Sequence, residues 1–210
     1  MTAVDIMAQL QAAKAAGRRY ACLLADPPWA FTTYSGARVP QRAEEQHYPT
    51  MTLAEIAALP VEDISAPDAA LFLWFTWPLL EGALDIIGKW GFAYKTCAFA
   101  WVKADVSTID LFPDPKLADM TLGYWTRSNS EVCLLATRGK PKRLSAGVRQ
   151  GIIEPRRQHS RKPECVYSRI ERLVAGPRLE MFARQQRPGW DVAGNDVHRF
   201  GAAPTEQGAA

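Results

Sequence analysis

The stretch of residues 20–29 reads YACLLADPPW, an apolar run followed at once by an acidic residue, two prolines and a tryptophan. A short apolar run that ends at such breakers predicts a buried β-strand over residues 20–25. The prolines fix two φ angles and remove two backbone donors. The loop Asp26-Pro27-Pro28-Trp29 is therefore predicted to be stiff, with carbonyl groups that are free to accept hydrogen bonds.

Outward from this strand, apolar runs alternate with segments of helical periodicity. Such alternation predicts an α/β fold with a mostly parallel sheet flanked by helices. In such sheets ligands bind beyond the carboxyl ends of the strands, so the loops after Ala25, Phe75 and Phe182 are candidate site positions. Strands are predicted at 69–75, 92–102, 131–137, 178–182 and 190–193, helices at 4–16, 78–90 and 163–173 with Ser160 as a cap, a short helix behind a capping box at Thr52 to Glu55, and loops at 30–50 and 104–122.

The composition bounds the class of protein. The chain has 210 residues, of which 48% are hydrophobic and 22% charged, so it is neither a disordered chain nor a disulfide scaffold. We expect one domain over residues 1–200 and a frayed tail over 201–210. The absence of a long apolar run and of a leader-like N-terminus predicts a cytoplasmic protein without a membrane span. The four cysteines lack metal-ligand spacing and are predicted to be reduced.

The charge is distributed unevenly. Residues 138–162 hold nine basic residues and one acidic residue, a balance of +8, while the rest of the chain carries 16 basic and 21 acidic residues, a balance of −5. A block of this kind either contacts phosphate or forms a solvated loop, and charge alone leaves the two about even. The candidate substrate contacts in this basic block are Lys140, Lys142, Arg143, Arg149, Arg156 and Arg157.

The loop after the first strand suits a planar heterocycle with an exocyclic amine. Asp26 can accept one amine N–H and the Pro27 carbonyl the other, while Pro28 or Trp29 contacts the ring face. The amine of adenine or cytosine is a poor nucleophile because its lone pair is delocalised into the ring, and accepting both hydrogens favours a lone pair that points at an electrophile. The alternative is a rigid Asx-type turn without function. The chain has neither GxGxxG nor GxxxxGK[ST], which argues against a dinucleotide dehydrogenase or a P-loop enzyme.

The tetrapeptide resembles the catalytic motif of S-adenosylmethionine-dependent amino methyltransferases. The rest of the chain, from Tyr20 to Val197, resembles the MT-A70 family, which includes the catalytic subunit of the mRNA adenosine-N6 methyltransferase and many bacterial and phage adenine methyltransferases. The segments that carry the resemblance, in family order, are LLADPPW (23–29), HYPTMTLAEI (47–56), LFLWFTW (71–77), GYWTRSNSEVCLLATRGKP (123–141), HSRKPECVYSRIERL (159–173) and LEMFARQQRPGWDVAGND (179–196).

The resemblance implies a Rossmann-like methyltransferase fold in which the catalytic motif precedes the cofactor-binding segment. It implies S-adenosylmethionine as the cofactor, no metal, and a catalytic loop of Asp26, Pro27, Pro28 and Trp29 that receives the target adenine. By the same resemblance, Ser160 and Lys162 lie near the methionine carboxylate of the cofactor, Phe182, Arg184, Asn195 and Asp196 line its ribose and adenine, and Tyr48, Trp74 and Glu131 lie on the target side.

Plainer interpretations of these residues remain open. Trp74 and Phe182 could be ordinary core, Asn195 a turn residue and Glu131 a solvated strand start. The chain also departs from the family in two places. Residues 1–17 do not match the segment with which eukaryotic members hold the cofactor adenine, and the tight connection from Arg184 to Pro188 means that no contacts of the intervening residues can be carried over.

The resemblance implies transfer of a methyl group to the N6 amine of adenine in nucleic acid, for which we prefer DNA. The alternatives are an RNA adenosine-N6 methyltransferase, a nucleic-acid-binding pseudoenzyme and a cytosine-N4 methyltransferase. The chain leaves little room for a domain that reads the target, so we predict weak sequence selectivity or help from a second copy or a partner subunit.

Overall fold

The computed structural model describes residues 3–30, 50–103, 125–126, 128–158, 161–195 and 197–200. Seven strands form a single sheet in the order β5-β3-β4-β2-β1-β6-β7. Their bounds are β1 Tyr20–Ala25, β2 Ser65–Phe75, β3 Ala93–Lys103, β4 Ser130–Arg138, β5 Gly151–Glu154, β6 Arg178–Met181 and β7 Asp191–Ala193.

The sheet is mostly parallel, as predicted. Strand β1 runs parallel to both of its neighbours, β2 and β6, and only β4 runs against its neighbours, β2 and β3. From β1 the chain proceeds to β2 on one side, whereas β6 and β7 lie on the other, so the topological switch point lies between β1 and β6. Ala25 pairs with Met181 at this point, which puts the loops that begin at Asp26 and Phe182 side by side. A crevice at such a position is where open α/β sheets bind ligands.

Helices cover both faces of the sheet. Strand β1 is buried on both faces, since Leu23 and Ala25 belong to one hydrophobic core and Cys22 and Leu24 to the other. The first core is packed by helices α1 to α4 and the second by α5. The bounds of the helices are α1 Ala3–Ala15, α2 Leu53–Ala57, α3 Val61–Ile64, α4 Leu80–Lys89 and α5 Cys165–Leu173, with a 3₁₀ turn at Trp77–Leu79 before α4.

The local predictions are largely confirmed. The capping box of α2 is present, because the Thr52 hydroxyl accepts the Glu55 N–H at 3.2 Å and the Glu55 carboxylate accepts the Thr52 N–H at 2.7 Å. Strand β2 is longer than predicted and includes Pro67, which is tolerated because the register with β1 shifts before Ala70.

Three details differ from prediction. Strand β5 was not predicted because only two of its four residues are apolar and because it lies inside the basic block. In the described part of the chain it is an edge strand that pairs with β3, and its Ile153 side chain is 63% exposed. Helix α5 begins at Cys165 with Glu164 as its N-cap and no side-chain cap, so the cap predicted at Ser160 is wrong. The start of the predicted helix 78–90 is a 3₁₀ turn. The loops predicted at 30–50 and 104–122 lie almost wholly outside the described residues.

All four cysteines are free thiols, and Cys22 and Cys133 are buried. In the described ranges no helix combines the length and the apolar character that a membrane crossing requires. Among the same residues no group of three or more His, Cys, Asp or Glu side chains is arranged to hold a metal ion.

Candidate active site at the carboxyl end of strand β1

The loop Asp26-Pro27-Pro28-Trp29 leaves β1 at the switch point and is fixed from two sides. The Met51 N–H donates to the Pro28 carbonyl at 2.8 Å, and the Trp29 N–H donates to the Pro27 carbonyl at 2.9 Å. The Trp29 indole donates to the carbonyl of Trp74 in β2 at 3.2 Å. These three hydrogen bonds, together with the two prolines, hold the loop in one conformation. The Pro27 carbonyl keeps one lone pair for a further donor, because an amide oxygen has two.

Four alternating charges lie beside this loop. Lys162 Nζ lies 2.7 Å from Asp26 Oδ2 and 3.1 Å from Glu131 Oε2, and Lys103 Nζ lies 2.6 Å from Glu131 Oε1. Four different segments supply these residues: the end of β1, the end of β3, the start of β4 and the approach to α5. The Lys162 ammonium also lies 5.4 Å from the centre of the Trp74 ring. We call this row of four side chains the charge chain.

The ion pairs of the charge chain favour the ionised forms of Glu131 and Lys162. Burial alone would raise the pKa of Glu131, but the ammonium groups of Lys162 and Lys103 outweigh it and lower that pKa to about 2. Burial would lower the pKa of Lys162, but Asp26 and Glu131 outweigh it and raise that pKa above its usual value. Both groups are therefore charged at neutral pH. Lys162 also lines the cavity beside the charge chain, and its position near the cofactor carboxylate, which the resemblance implies, stays a prediction.

An open cavity with a volume of about 40 Å³ lies beside the charge chain, between the ends of β1 and β6 and the start of α5. Of the residues singled out in the sequence, Asp26, Trp74, Lys162, Phe182 and Arg184 line it. The lining also includes six polar or aromatic side chains that sequence reasoning did not assign: Arg161, Glu164, Tyr167, Glu180, Gln185 and Phe200.

The cavity wall contains buried donors that have no acceptor among the described residues. These are Trp74 Nε1, Arg161 Nε and Gln185 Nε2. Buried polar groups are almost always hydrogen-bonded, so three such donors around one cavity indicate a ligand with acceptor groups. Trp74 is thus both core and cavity wall, since it is 1% exposed and its indole N–H belongs to this set.

Glu180 supplies an acidic group to the same cavity. Burial raises the pKa of Glu180 to about 7, although the hydrogen bond from Tyr167 and the charge of Arg187 act against that rise. The Tyr167 hydroxyl donates to Glu180 Oε1 at 2.8 Å. The Arg187 guanidinium lies 3.6 Å from the centre of the Tyr167 ring and pairs with Glu164. The sequence contains a signal for Glu180, because it is an acidic residue inside the short apolar segment LEMF (179–182) at the switch point.

The turn that follows β6 forms one wall of the cavity, and the turn that follows β7 packs against it. Phe182 has a φ of 62°, which is uncommon for a residue with a side chain and indicates a locally imposed conformation. A Cβ atom at Gly194 would lie 2.5 Å from the Ala183 carbonyl oxygen and 2.7 Å from the Ala183 nitrogen, so only glycine fits there. The two loops therefore touch backbone to backbone.

Helix α1 forms hydrogen bonds with the turn at Gly194 and Asn195. The Gly194 N–H donates to Gln9 Oε1 at 2.8 Å, and Gln9 Nε2 donates to the Gly194 carbonyl at 3.4 Å. The Asn195 side chain donates to Asp5 Oδ2 at 2.7 Å. Asn195 is therefore bound to α1 and is absent from the lining of this cavity, and its predicted contact with the cofactor ribose and adenine stays a prediction.

The residues of the basic block lie at both ends of the strands, some at the end where Asp26 lies and some at the opposite end. Because β4 is antiparallel, Arg138 pairs with Ala69 at the end of the sheet opposite Asp26. The Lys140 N–H then donates to Asp68 at 2.7 Å. Lys140 therefore lies at the end of the sheet opposite Asp26, and Lys142 and Arg143 follow it in the chain, while Arg149 precedes β5. None of these four residues lines the cavity, and their role as substrate contacts stays a prediction. Only Arg156 and Arg157, which follow β5, and Arg161 and Lys162, which line the cavity, lie at the Asp26 edge. Of the other predicted site residues, Tyr48, Ser160 and Asp196 lie outside the described residues.

Comparison with known proteins identifies the family to which the chain is similar. The MT-A70 family model matches residues 20–196. The chain is 32% identical over 197 residues to the type II methyltransferase M.MunI of Mycoplasma sp, which covers 86% of this chain and 78% of that protein. It is 30% identical to the N(6)-adenosine-methyltransferase MT-A70-like protein of Drosophila melanogaster and 28% identical to the human N(6)-adenosine-methyltransferase catalytic subunit METTL3. These two matches cover 85% of the chain but only 27% and 28% of the relatives, so the chain spans about a quarter of their length.

Proposed function

The chain belongs to the MT-A70 family of N6-adenine methyltransferases, and we propose that it transfers a methyl group from S-adenosylmethionine to the N6 amine of adenine in DNA. The observation that carries the proposal is the position of Asp26 and the Pro27 carbonyl, two acceptors on a rigid loop at the switch point beside a cavity that is lined by polar and aromatic side chains. DNA is favoured because the relative that the chain covers over most of its length is a DNA methyltransferase, whereas the adenosine methyltransferases are several times longer.

The residues around the cavity fit S-adenosylmethionine. The unsatisfied donors of Arg161 and Gln185 suit a carboxylate, and the Glu180 carboxylate suits an α-ammonium group. Phe182 and Arg184 would hold the nucleoside part at the wall that the turn after β6 forms. When bound, this cofactor supplies a methyl group on a sulfonium that is already strongly electrophilic, so positioning of the acceptor is the main task of the protein.

The loop and the charge chain divide that task. Lys162 binds Asp26 Oδ2, which leaves Asp26 Oδ1 as the acceptor for one amine N–H, and the second lone pair of the Pro27 carbonyl accepts the other. With both hydrogens held, the nitrogen lone pair points out of the base plane, and Asp26 Oδ1 is positioned to take the proton that the methylated amine loses. Pro28 and Trp29 bound the face of the base. In a duplex the base must leave the stack before it reaches this loop.

Methylation of matched oligomers tests the proposal. Single-stranded DNA, duplex DNA and RNA of the same sequence are incubated with the cofactor, and N6-methyladenine and N4-methylcytosine are measured by mass spectrometry. We expect N6-methyladenine in DNA, and a loss of at least about 100-fold for Asp26→Ala, since such a change removes both an acceptor and a partner of Lys162. The control is Asp85→Asn, which alters an exposed pair with Lys89.

Each alternative has its own outcome in this assay. Product in RNA but not in DNA would establish the RNA adenosine methyltransferase, and N4-methylcytosine would establish the cytosine enzyme. No product on any oligomer, together with no cofactor binding in calorimetry, would establish the pseudoenzyme. Retained activity of Asp26→Ala at a near wild-type rate would refute the role of the loop.

A further inference from the structure

Trp77 is a large aromatic side chain that is 52% exposed at the same sheet edge as the candidate site. We propose that its indole is the stacking surface for the nucleobase that neighbours the target adenine in the substrate strand, a subsite that rests on the proposed function.

The position of Trp77 follows from strand β2. The strand ends at Phe75, which pairs with Val132 near the start of β4, and Trp77 begins the turn that follows. The Trp77 indole N–H approaches the Ser130 hydroxyl at 3.5 Å. Ser130 directly precedes Glu131, a member of the charge chain that ends on Asp26. Trp77 is thus at the carboxyl edge of β2, one strand away from the loop that receives the adenine.

The Trp77 ring is held in a defined orientation. It packs against Phe75 with ring centres 5.5 Å apart and an interplanar angle of 75°, an edge-to-face contact. Phe75 itself is buried at 3% exposure, so the support is fixed in the core. A ring that is oriented from inside and open on its outer side can bind a flat partner with little loss of conformational freedom.

Three tryptophans lie around the carboxyl end of β2. Trp74 lines the cavity, its carbonyl accepts a hydrogen bond from the Trp29 indole, and Trp77, in the turn after β2, is the most exposed of the three. Proteins hold unstacked nucleic acid on such aromatic faces, because every base has a face to stack. Because Trp77 lies one strand away from the loop that is proposed to receive the adenine, the substrate strand is its occupant.

The test combines a Trp77 variant with removal of the stacked base. Single-stranded DNA oligomers carry 2-aminopurine, or an abasic site, next to the target adenine on either side, and affinity is measured by fluorescence anisotropy. We expect Trp77→Ala to weaken binding by about fivefold to 100-fold, as for removal of a stacking aromatic elsewhere, and to abolish the quenching of 2-aminopurine. Trp77→Phe should keep most of both. The abasic site should weaken the wild type on one side of the target and leave Trp77→Ala unchanged.

A matched control is Tyr94→Ala, which removes an aromatic side chain of similar exposure, 48%, from the opposite edge of the sheet. It should bind every oligomer as the wild type does. Wild-type affinity and quenching in Trp77→Ala, or equal losses on abasic DNA in the two proteins, would overturn the inference, and a Trp77 that serves a protein partner would give that result. Stacking on Trp77 without methyl transfer would refute the proposed function instead, so the two failures are distinguishable.

Discussion

Replacing Glu131 by glutamine should remove the negative charge that holds Lys103 and Lys162 in place while keeping the size and shape of the side chain. In the folded protein the pKa of Glu131 is about 2 because the two lysines outweigh the effect of burial, against an ordinary value of 4.5. At about 1.4 kcal/mol per pH unit, this difference corresponds to about 3 kcal/mol of stability at neutral pH. The side chain is only 24% exposed, so solvent screening reduces this value little.

The pH dependence has a definite sign. The folded pKa lies below the unfolded one, so the contribution is fully present above about pH 5 and is lost as the pH falls toward 2. The variant should therefore be less stable than the wild type by up to about 3 kcal/mol at pH 7. At pH 3.5 the difference in the free energy of unfolding between the two proteins should be smaller by about 1 to 2 kcal/mol, because part of the stabilisation by ionised Glu131 is lost in the wild type at that pH.

Urea unfolding followed by tryptophan fluorescence at the two pH values measures both quantities. The control is Glu62→Gln, the same change in a pair with Arg138 in which the Glu62 side chain is 59% exposed. Pairs of that kind are worth about 0 to 1 kcal/mol, so the control should stay close to the wild type at both pH values. A Glu131→Gln protein as stable as the control at pH 7, or a gap that does not change with pH, would refute the account of the charge chain.

Four further outcomes are expected. Gln9→Ala should weaken cofactor binding several-fold in calorimetry by releasing the turn at Gly194, whereas Gln11→Ala on the same helix should not; equal affinities would contradict the role of α1. Gly194→Ala should cost about 1 to 3 kcal/mol in urea unfolding because its Cβ meets Ala183, and an unchanged midpoint would contradict that close approach. Glu180→Gln should raise stability by about 3 kcal/mol at pH 8, since the folded pKa of about 7 lies above the ordinary value and ionisation is costly, while cofactor affinity falls; a destabilised variant would contradict this sign. Sequencing of methylated DNA after expression should show a short or loosely defined target, against which one long, strict motif would count.

The parts of the fold that could be predicted are those with local causes. An apolar run that ends at Asp26-Pro27 predicts strand β1, and the Thr52 and Glu55 pair predicts the start of α2, because hydrogen bonds three residues apart are written in the sequence. Strand β5 escaped because it is short and half exposed, so its pattern is too weak to separate from a loop. The resemblance likewise rests on contiguous segments, and it placed Trp74, Phe182 and Arg184 at what is now the cavity.

The charged residues show where such prediction ends. Lys162 is 136 positions from Asp26 in the chain, yet the two side chains are in contact. The basic block looked like one surface, but an antiparallel β4 sends Lys140 to the far end of the sheet. The Asn195 side chain donates to Asp5, which is 190 positions away in the chain, and no local pattern predicts that contact. Each of these outcomes depends on strand direction and on contacts between distant segments.

The sequence by itself determined the class of the fold and the family, and it predicted the catalytic loop, because periodicity, breakers and contiguous motifs are local properties of the chain. Only the tertiary structure decided which charges meet. It brought the four members of the charge chain together, and it raised the pKa of Glu180 and lowered that of Glu131. It also placed the residues of the basic block at both ends of the strands. The physical reason is that burial and Coulomb interactions depend on distances in space, and these are fixed only when the strands take their order and direction.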